Sequence, residues 1–147
     1  MTNQCLYEQD FYAWANEQAA LLRAGRLSEA DIEHIAEEIE SMGKTEKREL
    51  VSRLTVLLLH LLKWQHQPTH RGTVWRLTLE EQRNQIEDHL ADNPSLKSTI
   101  AESIAAAYRN AVLGAARETG IERRVFPQTC PWSFDQIIAA DFWPDAA

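Results

Sequence analysis

Residues 50–67 read LVSRLTVLLLHLLKWQHQ, the most apolar run in the chain. Leu50, Leu54, Leu57, Leu61 and Trp64 recur at steps of four and three, the spacing of one face of an α-helix. Leu58 and Leu62 widen that face, and Val51, Val56 and Leu59 put apolar groups on the other sides. A helix that is apolar nearly all round has to be buried by its neighbours. It is not a membrane span, which needs roughly 20 apolar residues. Only residues 56–62 are near-continuous, His60 interrupts them, and Arg53 and Lys63 flank them. One stripe, Arg53, Val56, His60, Lys63 and Gln67, is more polar, and it faces either a cleft or water.

The rest of the chain supplies helices to cover this one. A first helix is expected over about 8–24, with Tyr7, Phe11, Trp14, Leu21 and Leu22 near one face, Gln18 interrupting it, and Gly25 at a left-handed end. A second should start at Ser28, with Asp31 close to a capping box and a Leu27–Ile32 staple. Ile32, Ile35, Ile39 and Met42 form its expected buried stripe, and Gly43 its expected end. The other faces carry Glu29, Asp31, Glu33, Glu37, Glu38 and Glu40 without a single Lys or Arg. Acids late in a helix oppose its dipole, so these should find cationic partners, and Lys44, Lys47 and Arg48 follow at once.

Thr45 is read as the cap of the central helix, which forms a hairpin with the second and ends near Gln67, before Pro68 and Gly72. A fourth helix is expected over about 73–90, stopped by Asp92-Asn93-Pro94. A long fifth, capped by Asn93 or Ser95, runs to Thr119 with a Gly120 Schellman end; its alanines and Gly114 imply close approach to a neighbour. A short last helix starts at Ser133, with Gln136 completing a capping box. The tail, with Phe142 and Trp143, packs on its own bundle or on a partner. The reading is therefore all-α: a compact bundle of five to six helices around a central buried helix at about 45–67. One helical domain spans 1–147, a length that folds around a single core.

Composition narrows the function classes. The formal net charge of −7 argues against broad contact with nucleic acid, which needs a basic face to displace counterions. Cys5 and Cys130 are far apart and form no CxxC, which suggests reduced thiols rather than a disulfide framework or a zinc knuckle. The first residues lack a basic segment followed by an apolar one, so a cytoplasmic protein is expected.

The segments YEQDFYAW, EEIESMGK, HLLKWQHQP, Trp75 to Arg83, NPSL, ETG and FPQTCPW occur in an order that resembles the bacterial domain of unknown function 29 family. The resemblance covers nearly the whole chain, from about Tyr7 to Pro144. It implies a compact all-helical bacterial domain with no agreed activity and no established catalytic residues. The motif positions it marks, expected to serve binding, are Asp10, Trp14, Glu37, Glu38, His60, Lys63, Trp64, Trp75 and Arg83.

Three chemistries compete. Di-metal bundles use Glu-x-x-His pairs. Asp31 and His34 have that spacing, but neither His60 nor His89 is preceded by Glu at the third position. A site built from His60, His66, His70 or His89 with one acid is conceivable, as is an enzyme using His60 with nearby carboxylates. No GxSxG, GxxxxGK[ST], GxGxxG or HExxH is present, so no catalytic residue, metal ligand or cofactor is assigned. Lys63, Arg71, Arg76 and Arg83 beside Trp64 and Trp75 give nucleic acid a thin basis. The preferred reading is a protein-binding or assembly module, either a homo-oligomer or one taking another protein, in which the acidic second helix and the basic third–fourth junction steer association and the Trp143 tail anchors it.

Overall fold

A computed structural model describes residues 3–146, with side chains from Leu6 onward. The thiol of Cys5 therefore lies outside the described residues. Six α-helices and no strand occur among them: α1 Asn3–Gln9, α2 Phe11–Arg23, α3 Ile32–His66, α4 Thr73–Asp92, α5 Ile100–Thr119 and α6 Phe134–Ile138. The fold is all-α, as the periodicity predicts, and none of the described helices is long and apolar enough to cross a membrane. Contacts group the chain into two units, Met1–Thr45 and Glu46–Ala147.

The first unit contains α1, α2 and residues 32–45 of α3. The single helix expected over 8–24 is divided at Asp10, whose Oδ1 accepts the Ala13 amide at 3.0 Å and caps α2. A side chain that takes a backbone amide locally competes with helix continuation. Gln18, read as an interruption, is buried, and its Oε1 accepts the Asp31 amide at 2.7 Å. Ser28 does not cap a helix. Residues Leu27–Glu29 form a 3₁₀ turn, and the long helix begins after Asp31.

The expected hairpin at Gly43 is absent, because α3 runs unbroken through it. Gly in a helix interior costs about 1 kcal/mol relative to Ala. Here it is flanked by Met42, Lys44, Glu46 and Lys47, good helix formers with no proline, so the loss is local. Thr45, read as a cap, instead donates its hydroxyl back to the Ser41 carbonyl at 3.0 Å. The stripe expected to be buried is largely exposed: Ile32 by 54%, Ile39 by 59% and Met42 by 63%.

The second unit is the expected bundle around a central buried helix. Leu50, Leu54, Leu57, Leu58, Leu61 and Leu62 of α3 are fully buried. They pack with Leu79 and Ile86 of α4, Ala107, Tyr108, Ala111 and Ala115 of α5, and Phe126 and Ile137. Each such Leu is worth roughly 1.5–3 kcal/mol of removed apolar surface. Residues Pro94–Thr99 form a 3₁₀ helix where a start of α5 was expected, with the Ser98 and Thr99 hydroxyls bonded back to the Ser95 and Leu96 carbonyls. Gly120 ends α5 at φ 75°, but its N–H bonds the Ala116 carbonyl while the Ile121 N–H goes to the Thr119 hydroxyl, so the end is the simpler left-handed motif and not the expected Schellman one; Ser133 with Gln136 makes the predicted capping box of α6.

Candidate functional site

In the first unit a polar network forms under an aromatic group. Trp14 is buried, and its Nε1 donates to Asp31 Oδ2 at 3.1 Å. The same oxygen lies 2.7 Å from His34 Nδ1. The Tyr7 ring stacks on His34 at 4.0 Å, and its hydroxyl donates to Glu38. That bond to a carboxylate pushes the Tyr7 pKa up to about 12. Burial pushes Asp31 up, but the hydrogen bonds from His34 and Trp14 outweigh it and hold the carboxyl below its usual range. The same bond raises His34, with partial burial opposing. Of the positions expected to bind, Trp14 and Glu38 enter this network, Asp10 caps α2, and Glu37 is exposed.

In the second unit Lys63, Trp64, Trp75 and Arg83 make cation–aromatic contacts, and Trp64 and Arg83 reach the tail. Lys63, 9% exposed, has Nζ 3.2 Å from Glu118 Oε1 and 4.7 Å above the Trp75 ring. Trp64 packs on Trp143 with ring centres 4.6 Å apart. Arg71 Nε donates to the Trp64 carbonyl at 2.7 Å, and Arg76 sits 5.4 Å from both tryptophan rings. Arg83, only 4% exposed, donates to the carbonyls of Ile137 at 2.9 Å and Phe142 at 2.7 Å, with its guanidinium 5.3 Å from Trp143. Burial lowers the Arg83 pKa and Asp141 opposes the shift. His60 has no hydrogen bond to these groups among the described residues, although Lys63 and Glu118 act on it electrostatically. Its Nδ1 is 2.8 Å from the Val56 carbonyl, and burial holds its pKa below the ordinary value. The aromatic tail thus packs on the bundle of its own chain.

A further concavity of the second unit lies elsewhere. A groove of about 1160 Å³ runs between α5 and residues 122–130. Ile104, Tyr108, Val112 and Phe126 supply apolar lining, and Arg109 and Arg123 line it as well. Neither arginine has an ion-pair partner among the described residues, whereas Arg124 is paired with Glu122 at 2.5 Å. The Tyr108 hydroxyl donates to the Pro127 carbonyl at 2.6 Å and fixes the irregular wall to the helix. None of the nine expected binding positions lines this groove. The sequence signal for it was the Arg123-Arg124 pair beside Phe126-Pro127, which gains meaning only when set against α5. A second, smaller cavity holds Glu46, Glu49 and His89, the one metal-competent cluster found among the described residues.

A family model described as Domain of unknown function DUF29 matches residues 6–143. No curated protein and no solved structure matches the chain.

Proposed function

The chain belongs to the family described as Domain of unknown function DUF29, and for this member we propose a protein-interaction role in which the α5 groove takes an acidic amphipathic helix. The observation that carries this reading is an apolar floor beside Arg109 and Arg123, neither of which has an ion-pair partner among the described residues. An apolar lining asks for apolar side chains, and Arg109 and Arg123 ask for carboxylates beside them. At about 1160 Å³ the groove exceeds the roughly 300–1,000 Å³ of ordinary small-molecule pockets, which suits a segment of chain better than a metabolite. The floor supplies affinity, and the arginines steer encounter and set orientation. Trp64 and Arg83 enter the proposal by holding the segment that follows the groove wall.

Other readings draw less support. Lys63, Arg71 and Arg83 are engaged with Glu118, the Trp64 carbonyl and the tail carbonyls, which leaves little of the basic junction for phosphates. The His60 Nδ1 is taken by the Val56 carbonyl, and the two charges that act on the ring, Lys63 and Glu118, are paired with each other at 3.2 Å, which favours acid–base chemistry there less. A bacterial, cytoplasmic setting belongs to the same proposal. Two sources supply an acidic helix, another protein or a second copy of this chain, and light scattering at high concentration separates them.

The test is fluorescence anisotropy with a labelled helical peptide carrying Leu on one face and Glu on the others. The expected result is saturable binding, weakened at least tenfold in an Arg109→Glu, Arg123→Glu double variant and weakened by salt. No binding of the peptide, or equal binding by the variant, overturns the proposal.

A further inference from the structure

We propose that Glu46 and Glu49 of α3 and His89 of α4 form a binding site for a divalent transition-metal ion of the zinc class. The two glutamates are three residues apart, on one face of α3, and His89 reaches them from the last turn of α4. One ligand atom from each of the three lies within 4.8 Å of the others.

The histidine carries the argument. It is 8% exposed, and its Nε2 lies 2.8 Å from the Glu46 backbone carbonyl. A carbonyl accepts only, so Nε2 holds the hydrogen and donates it. In the neutral ring Nδ1 then presents a lone pair, and it faces Glu49 Oε2 at 3.4 Å. Either a proton on Nδ1 or a metal ion can join these two acceptors, and a metal ion can at the same time take Glu46. The separation matches the edge of a tetrahedral site, roughly 3.3 Å for bonds of about 2.0 Å. A ring whose other N–H is held by a backbone carbonyl is also how metal-binding histidines are commonly oriented.

The surrounding charge points the same way. The cavity, about 580 Å³, is lined by Glu46, Glu49, Asp88 and Asp92, with Arg53 as its one Lys or Arg. Arg53 takes Glu49 Oε1 at 2.9 Å and leaves Oε2 to the ion. Asp88 and Asp92 sit in the last turn of α4, where carboxylates oppose the helix dipole and a bound cation would offset them. The Glu46 and Glu49 side chains, 45% and 40% exposed, have room to close on an ion. The ion would tie α3 to α4.

The experiment uses the untagged full chain, stripped with a chelator and titrated with Zn²⁺ alone by calorimetry and thermal denaturation. One ion per chain is expected, with a melting temperature raised by about 5 °C at saturating metal. Both His89→Gln and the half-buried Glu46→Gln, Glu49→Gln double variant should bind at least tenfold more weakly. The double variant should keep the wild-type melting temperature in chelator. A wild-type chain that retains no zinc, or a double variant that binds within twofold of wild type, overturns the site.

Discussion

Arg83 is where a single residue does most. It is buried, and it supplies hydrogens to two carbonyls of the C-terminal segment. Arg83→Met keeps the stem but leaves both carbonyls without a donor, so a loss of about 2–4 kcal/mol is expected in urea denaturation. Trp143, which packs under that guanidinium, should become more exposed, and quenching of tryptophan fluorescence reads this directly. The Asp31–His34 pair makes a pH prediction for the first unit. His34 is raised in the folded state, so its contribution is complete below the ordinary histidine value, near 6.5, and is lost as pH rises through the folded value. Asp31 is lowered, so its contribution is present above about 3.9 and lost as pH falls through the folded value. Protection of the amides at residues 31–38, corrected for the intrinsic pH dependence of exchange, should therefore be greatest between these limits. His34→Gln should remove the loss on the alkaline side.

At the scale of the element, the continuity of α3 makes the sharpest claim. Gly43 has helical backbone and nothing within 4 Å of where a Cβ would lie. Gly43→Ala should therefore raise stability by about 1 kcal/mol, measured by urea denaturation. A left-handed turn there would make the same substitution destabilising. What the sequence revealed about the elements follows from locality. The leucine spacing of residues 50–64, the Gly120 end and the Ser133 box are each decided within a few residues, and each is found. Gly43 misled because its own penalty was weighed without the helix formers around it. The exposure of Ile32, Ile39 and Met42 was not legible either, since periodicity names a face but not what covers it.

For the molecule as a whole, composition spoke to class and little to site. The acidic balance and the absence of nucleotide and hydrolase motifs narrowed the possibilities, and the all-α fold followed from periodicity. The groove was hidden because its two sides, α5 and residues 122–130, are far apart in sequence pattern and are brought together by contacts such as the Tyr108–Pro127 bond and the burial of Phe126. Glu46 and His89, 43 residues apart, were hidden for the same reason: a search for Glu-x-x-His on one helix does not find ligands shared by two. The interaction role rests on the groove, and its most direct test is chemical-shift mapping of the isotope-labelled chain against the acidic amphipathic peptide. The predicted result is a set of shifted amides concentrated at Tyr108, Arg109, Val112 and Phe126. Shifts confined to the Arg76–Trp143 region, or none at all, would contradict it.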